Sequence, residues 1–122
     1  MTFNVCNMIY VKDVNTIAEF WKKIGFVEIS RQSIMDTETV IVAPFGDSNA
    51  QFQIWNVDFI SKVSPEVASM KASLLCTVDD IEKWHKKLVA ITETTSDIMD
   101  NGGKKSFNFA DPEGNYYAFS EV

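Results

Sequence analysis

The chain contains one internal duplication, and this repeat limits its possible folds more than any other feature. When the sequence is aligned with itself so that Cys6 lies over Ser73, matching residues stand at the same points of both copies. The matched pairs are Val11 with Val78, Asp13 with Asp80, and Val14 with Ile81. In each copy an alternating apolar segment ends in Val-x-Asp, and a helical pattern begins at once. The repeat therefore predicts two copies of one strand–helix unit.

Each copy continues with three extended segments after its helix. Apolar residues at helical spacing predict the two helices: Val14, Ile17, Ala18, Trp21 and Ile24 in the first, and Ile81, Trp84 and Leu88 in the second. Alternation and turn residues predict strands at 25–33, 37–43, 50–56, 90–95, 105–110 and 116–121. We therefore predict an α+β fold in which two tandem βαβββ modules form one domain, 1–122. The modules cover about 1–57 and 72–122, and a linker with a short helical turn covers about 58–71.

Two further local patterns make specific predictions. Asp13 and Asp80 stand where each helix begins, so we expect their carboxylates to cap the first free backbone N–H groups. Residues 101–103 (Asn-Gly-Gly) predict a turn, and residues 111–115 (Asp-Pro-Glu-Gly-Asn) predict a tight reversal before the last strand.

Composition and charge restrict the possible partners. Apolar residues make up 46% of the chain, which is enough for a core without metal or disulfide crosslinks. The net charge of -6 argues against nucleic acid. No apolar run approaches the length of a membrane span, so we expect no membrane partner. Cys6 and Cys76 fall on opposite strand faces and should not pair; free thiols and the lack of a signal peptide favour a cytoplasmic location.

Strand alternation divides the candidate functional residues from the core. The faces turned away from the helices carry Cys6, Met8 and Tyr10 on the first strand, Gln53 and Trp55 on the fourth, Ser73 and Leu75 on the fifth, and Tyr116 and Ala118 on the last. Three of these residues are aromatic, and a cleft with flat rings and a few polar groups is a typical small-molecule site. The alternative is that the same rings only close a sheet or a dimer interface. The single histidine, His85, lies beside the stripe of the second helix, where we predict a structural role.

Two motifs support a family resemblance. The sequence Tyr-Val-Lys-Asp-Val at 10–14 stands before the first helix, and the sequence Phe-x-Phe-Ala-Asp-Pro-Glu-Gly-Asn at 107–115 stands before the last strand. Together they resemble the vicinal oxygen chelate superfamily, which includes glyoxalase I, extradiol dioxygenases, and fosfomycin- and bleomycin-resistance proteins. The resemblance covers the whole chain and implies curved sheets around a central cleft. It also implies a homodimer, with the sheets paired within one chain or across two.

The resemblance also identifies where metal-dependent members hold their ligands. Those positions correspond here to Cys6, Gln53, Ser73 and Ala118. Alanine donates nothing, and one thiol with two neutral side chains is a poor set for a divalent metal. We therefore expect no metal or other cofactor, and these residues argue against metal-dependent catalysis while leaving other enzymatic activity open.

The sequence thus predicts a metal-free, bleomycin-resistance-type protein that binds or sequesters a small organic molecule. The predicted ligand is planar and cationic, because rings attract cations across their faces and the net charge is negative. The predicted ligand-binding residues are the nine side chains given above, on the strand faces turned away from the helices. One alternative is a metal-dependent lyase, isomerase or dioxygenase of the same superfamily. Another is an interaction protein that uses this surface only to dimerise.

Overall fold

The computed structural model describes residues 1–71 and 73–122. Ala72, where the sequence predicts the second module to begin, lies outside the described residues. The chain divides into two units, Met1–Ala72 and Ser73–Val122. None of the helices within the described ranges is long and apolar enough to cross a membrane.

The first unit is a four-stranded sheet with two helices. Its elements are β1 (Val5–Val11), α1 (Val14–Lys23), β2 (Val27–Ile34), β3 (Thr37–Ala43), β4 (Ala50–Asn56) and α2 (Val57–Val63). The strand order is β1-β4-β3-β2. The β1–β4 pair is parallel and the other pairs are antiparallel, so the chain crosses from β1 over α1 before it returns to the sheet.

The second unit repeats this topology. Its elements are β5 (Leu74–Val78), α3 (Ile81–Ile91), β6 (Met99–Asn101), β7 (Lys104–Ala110) and β8 (Tyr116–Glu121). The strand order is β5-β8-β7-β6, again with a parallel first pair and antiparallel others. The predicted α+β fold of two βαβββ modules is confirmed.

The core of the first unit lies between α1 and its sheet. All five residues of the predicted stripe are buried, and Trp21 is fully enclosed. Its indole ring lies 4.9 Å from the ring of Phe26 and 4.8 Å from that of Phe52. Aromatic pairs at this separation add to the free energy gained from burial alone.

The core of the second unit is a cluster of phenylalanines. Phe107, Phe109 and Phe119 are fully buried, with ring centroids 5.1 to 6.1 Å apart. Trp84 on α3 meets Phe119 edge-to-face at 5.4 Å. The Trp84 side chain is half-buried, and the Lys87 ammonium lies over its ring at 5.1 Å.

The predicted strand at 90–95 is wrong. The helix α3 continues to Ile91, and the short strand β6 forms later, at Met99–Asn101. The threonines between them bind to β7 through their side chains instead. The Thr94 hydroxyl accepts from the Ala110 backbone N–H at 2.8 Å and donates to the Ala110 carbonyl at 3.2 Å. A side-chain hydroxyl thus replaces a backbone ladder bond, which alternation of residue types does not reveal.

One of the two predicted helix caps is confirmed and the other is wrong. Asp13 Oδ1 accepts from the Thr16 N–H at 3.0 Å. This bond lowers the pKa of the Asp13 carboxyl. Asp80 occupies the same position before α3 but makes no side-chain cap bond. Its φ of 52° is left-handed, and this backbone conformation turns the carboxylate away from the capping geometry.

The predicted reversal at 111–115 is confirmed, and its centre is a buried carboxylate. Asp111 is 4% exposed and accepts from the backbone N–H groups of Glu113 and Asn115 and from the Asn115 side chain. It also accepts from the Tyr117 hydroxyl at 3.2 Å. Burial, together with this carboxylate, raises the pKa of Tyr117. At Gly114, φ is 81°, a conformation that favours glycine.

The outer strand β1 departs from the predicted burial pattern, in which its odd-numbered residues face the helix and are buried. Ile9 and Val11 are buried as expected, but Val5 is 55% exposed. The Asn7 Nδ2 atom is buried and has no hydrogen-bond partner among the described residues. α1 packs mainly on the other three strands, so the beginning of β1 receives little cover from it.

Candidate functional site

Five of the nine predicted ligand-binding residues come together on one surface of the first unit. The parallel register places Met8 beside Gln53 and Tyr10 beside Trp55. Cys6 lies two residues before Met8 on the same face. We call this surface, formed by Cys6, Met8, Tyr10, Gln53 and Trp55, the first open face. It is the side of the sheet opposite to α1, since Phe52, in the alternate register on β4, contacts Trp21.

The indole of Trp55 is stacked on Phe59. Their ring centroids are 6.1 Å apart and their planes differ by 9°. Phe59 reaches this position because Asn56 ends β4 and caps α2, with its Oδ1 accepting from the Phe59 N–H at 3.0 Å. The sequence analysis missed Phe59. The signal was Asn56, a capping residue type three positions before Phe59. We interpreted the segment that contains Phe59 as a linker, so its helix was not predicted there.

A hydrogen-bonded chain fixes the Gln53 side chain. Gln53 Nε2 donates to Thr39 Oγ1 at 3.0 Å, and Thr39 Oγ1 donates to the Ile54 carbonyl at 3.0 Å. Thr39 is 4% exposed, so this chain is anchored in the interior of the sheet. Sequence reasoning missed Thr39, since a threonine in a β-branched strand has no pattern that distinguishes it from packing.

The remaining polar contacts of the first open face are weak. The Cys6 thiol lies 4.0 Å from Gln53 Oε1, and the Tyr10 hydroxyl lies 3.7 Å from the Met8 sulfur. The Cys6 side chain is exposed in this chain, yet nearby atoms remove enough water to raise the pKa of its thiol. Cys6 therefore remains a neutral thiol at neutral pH, and the surface carries no charged side chain.

The other four predicted residues belong to the second unit. Leu75 on β5 pairs with Ala118 on β8, and Tyr116 lies two residues before Ala118 on the same face. Leu75 is 64% exposed and Tyr116 is 59% exposed. Ser73 is exposed and precedes β5, outside the strand ladder. These four residues, Ser73, Leu75, Tyr116 and Ala118, form the second open face.

The side chains at the family's ligand positions do not fit a divalent metal. Cys6 is a protonated thiol with a raised pKa, and Gln53 is neutral and already bonded to Thr39. Ser73 offers one hydroxyl and Ala118 offers no donor. Within 1–71 and 73–122, no group of three or more His, Cys, Asp or Glu residues is placed to hold a metal ion. Metal catalysis requires several strong donors around one open position, and these side chains do not supply them.

The other reactive side chains have structural surroundings. His85 Nε2 lies 2.8 Å from the Ser96 carbonyl, and its ring meets Phe107 edge-to-face at 4.9 Å. This agrees with the structural role predicted for it. Cys6 and Cys76 are both unpaired, and burial raises the pKa of Cys76.

The first unit also contains a depression of about 510 Å³ at a different place. It is lined by residues 12–15, Ser33, residues 35–38 and Asn56. Most of these side chains are polar or charged, and four of them have structural roles. Asp13 caps α1 and Asn56 caps α2, while Asn15 and Glu38 bond to Arg31. None of the nine predicted residues borders it. Its open, polar lining lacks the apolar area with which organic molecules are usually bound.

Comparison with known proteins identifies the wider group. A sequence model of the Glyoxalase/Bleomycin resistance protein/Dioxygenase superfamily matches residues 3–119. Searched against the curated proteins, the chain has no match. Among solved structures, TnmS3, an antibiotic binding protein from Streptomyces sp. CB03234, is similar with a TM-score of 0.78 and 18% identity, over 99% of this chain and 96% of that one.

Two further structures have the same fold. A bleomycin-binding protein solved in complex with bleomycin has a TM-score of 0.72 and 16% identity, over 99% of each chain. Lactoylglutathione lyase from Agrobacterium tumefaciens has a TM-score of 0.72 and 14% identity, over 96% of this chain and 91% of that one. The similar structures thus include two binding proteins and one lyase, so the fold alone does not select between these activities.

Proposed function

The chain belongs to the glyoxalase/bleomycin resistance protein/dioxygenase superfamily, and from this membership we propose that it is a metal-free protein that binds a small organic molecule. The observation that carries the proposal is the first open face. There an indole ring, supported from one side by Phe59, lies beside an oriented amide on a surface without charge. Such a surface suits the stacking of a planar ligand.

The antibiotic-binding neighbours support binding rather than catalysis. TnmS3 is described as an antibiotic binding protein, and the bleomycin-binding protein was solved in complex with bleomycin. Metal-dependent catalysis would require a set of ligands that Cys6, Gln53, Ser73 and Ala118 do not offer. We therefore place this protein with the binding members.

The second open face carries the other four proposed ligand-binding residues. Tyr116 supplies a ring and Leu75 an apolar contact, while Ser73 offers a hydroxyl and Ala118 leaves room for a ligand. Their exposure supports a surface that another molecule covers.

A homodimer is part of the same proposal. Phe3 and Val5, which lie at or just before the start of β1, are apolar and 79% and 55% exposed. A second copy of the chain would remove this area from water. Analytical ultracentrifugation should give the mass of two chains at micromolar concentration; a single-chain mass across that range would contradict the dimer.

The decisive binding experiment compares two tryptophans. Trp55→Ala should abolish most binding of planar aromatic compounds, measured by isothermal titration calorimetry, because it removes the stacking surface. Trp84→Ala is the matched control, since Trp84 packs on Phe119 under α3 and should affect stability alone. Unchanged binding by Trp55→Ala would rule out the first open face as the site.

The ligand's charge is tested with the same assay. Planar cations should bind more tightly than planar anions of equal size, because ring faces attract cations and the chain carries a net charge of -6. A cation–π contact contributes about 0.5–2 kcal/mol, so charge provides selectivity while stacking provides most of the affinity. Tighter binding of anions would refute the cationic part of the proposal.

Elemental analysis tests the metal-free part. Protein purified without chelator should contain no stoichiometric Zn, Ni, Mn or Fe, and it should lack glyoxalase activity. One equivalent of tightly bound divalent metal would instead favour the lyase, isomerase or dioxygenase alternative.

A further inference from the structure

The orientation of the Gln53 amide is decided by Thr39. A threonine hydroxyl has one hydrogen to donate and can accept further hydrogen bonds. Thr39 gives this hydrogen to the Ile54 carbonyl in the interior of the sheet. At its contact with Gln53 it can therefore only accept, and Nε2 is the amide atom that can donate.

The reversed amide would lose a hydrogen bond. With Oε1 facing Thr39, two acceptor oxygens would meet at about 3 Å unless the hydroxyl abandoned the Ile54 carbonyl. Moving the hydroxyl away from the Ile54 carbonyl would break a buried hydrogen bond, which is unfavourable. The pair Thr39 and Ile54 thus holds Nε2 inward and turns Oε1 away from Thr39.

The exposed amide oxygen has no strong donor beside it. Its ladder neighbours are Met8 on β1 and Ile41 on β3, and neither side chain carries an N–H or O–H group. Within the part of the chain that the structure describes, Oε1 is contacted by the Cys6 thiol at 4.0 Å, and a thiol is a weak donor. Gln53 therefore presents a nearly unused acceptor next to the Trp55 stacking surface.

We propose that the first open face selects planar ligands that carry a hydroxyl or N–H donor, and that Thr39 is the positioning residue that sets this preference. The inference rests on the proposed function and specifies its ligand class. A hydroxyl group can donate to Oε1 and also accept from the remaining Nε2 hydrogen. A methoxy group of similar shape can only accept, so Oε1 would be covered without a partner.

The test uses two matched probes, 6-hydroxyquinoline and 6-methoxyquinoline, at neutral pH. Their affinities are measured by NMR titration of the indole N–H resonance of Trp55. The wild-type protein should bind the hydroxyl compound about two- to twelvefold more tightly, the range expected for one net hydrogen bond. Gln53→Leu should bind both probes equally, because stacking remains and the acceptor is gone.

Variants of Thr39 separate positioning from packing. Thr39→Val keeps the shape but frees the amide to reverse, so the ratio of the two affinities should fall toward one. Thr39→Ser keeps the hydroxyl and should restore the wild-type ratio. Because the readout is a ratio within each protein, a general loss of stability in one variant does not alter it, and the Gln53→Leu result stands independently.

Each outcome decides between the two levels of the proposal. Equal affinities in the wild-type protein, or a preference that survives in Gln53→Leu, would overturn the donor selectivity and leave aromatic binding intact. An unchanged ratio in Thr39→Val would overturn the positioning role. If neither probe shifts the Trp55 resonance at millimolar concentration, the proposed binding function fails as well.

Discussion

The two modules share one topology but differ in how closely the helix covers the sheet. α1 buries five residues against its sheet, whereas α3 buries two. The second strand has eight residues in the first module and three in the second. The first module therefore has the more complete core, although its helix is one residue shorter.

The polar contacts differ in the same direction. In the first module, Arg31 reaches Glu28, Glu38 and Asn15, and Lys22 also bonds to Glu28 at 2.7 Å. In the second, Lys105 pairs with Glu82 at 2.9 Å. The two modules thus share their strand order and their crossover connection, but they differ in the side chains that form polar contacts on each sheet. The sheet with more of these polar contacts, that of the first module, carries the oriented amide of Gln53 and the stacked indole of Trp55.

Replacing the helix tryptophans should give the largest difference between the modules. Trp21→Ala should lower the free energy of unfolding by about 3–5 kcal/mol, because it empties a fully enclosed site. Trp84→Ala should lower it by roughly half as much, since that ring is half-buried and part of its contact is with Lys87. Urea denaturation followed by circular dichroism measures both. Equal losses would show that α3 holds its sheet as firmly as α1.

The turns before the last strand of each module should differ next. Asp111→Ala removes the acceptor for the Glu113, Asn115 and Tyr117 donors, and should cost about 2–4 kcal/mol. In the first module, the Ser48 hydroxyl bonds to the backbone carbonyl and N–H of Ala50, so Ser48→Ala should cost about 1 kcal/mol. The same urea titrations apply. A smaller loss for Asp111→Ala than for Ser48→Ala would contradict the central role of the carboxylate.

The helix starts provide a comparison at equivalent positions. Asp13→Ala should cost about 1 kcal/mol, the usual value of an N-terminal cap. Asp80→Asn should change stability by only a few tenths of a kcal/mol, because asparagine tolerates φ near 52° and no cap bond is lost. Thermal unfolding of both variants at one pH is sufficient. A loss near 1 kcal/mol for Asp80→Asn would mean that its carboxylate does cap α3 in solution.

The acid dependence of stability should show the smallest difference. The Arg31 and Lys22 hydrogen bonds lower the pKa of Glu28 to about 2. A lowered pKa adds stability above the unfolded value near 4.5, and this part is lost as the pH falls toward 2. The side chain is partly exposed, so solvent screening keeps the effect below about 1 kcal/mol.

The measurement is stability between pH 5 and 2 for matched variants. Glu28→Gln should flatten the acid limb more than Glu82→Gln, whose ion pair with Lys105 is more exposed to solvent. Equal slopes for the two variants would remove the electrostatic part of the contrast between the modules.

The sequence allowed most of the fold to be predicted, because each module repeats strong periodic patterns. The apolar faces of the helices, the reversal around Asp111 and the order of strands and helices in each module all follow from local residue types. The predictions failed where a side chain replaced the backbone, as with the Thr94 hydroxyl on β7, or where backbone conformation overrode residue type, as at Asp80. In the candidate site, alternation identified Gln53 and Trp55. It could not identify Phe59 and Thr39, since their roles depend on tertiary contacts.

In each module the first strand pairs in parallel with the last strand, and this pairing has a consequence for folding kinetics. The hairpins β2–β3 and β7–β8 join near neighbours in the chain, whereas Val5 pairs with Ala50 and Leu74 with Tyr117. Closing these pairs brings together segments roughly forty residues apart, and such long-range contacts form slowly. The surface that joins Met8 to Gln53 and Tyr10 to Trp55 exists only once β1 has docked on β4. Ligand binding therefore becomes possible only when the slow pairing of β1 with β4 is complete. The rate at which binding recovers during refolding should report the formation of this strand pair.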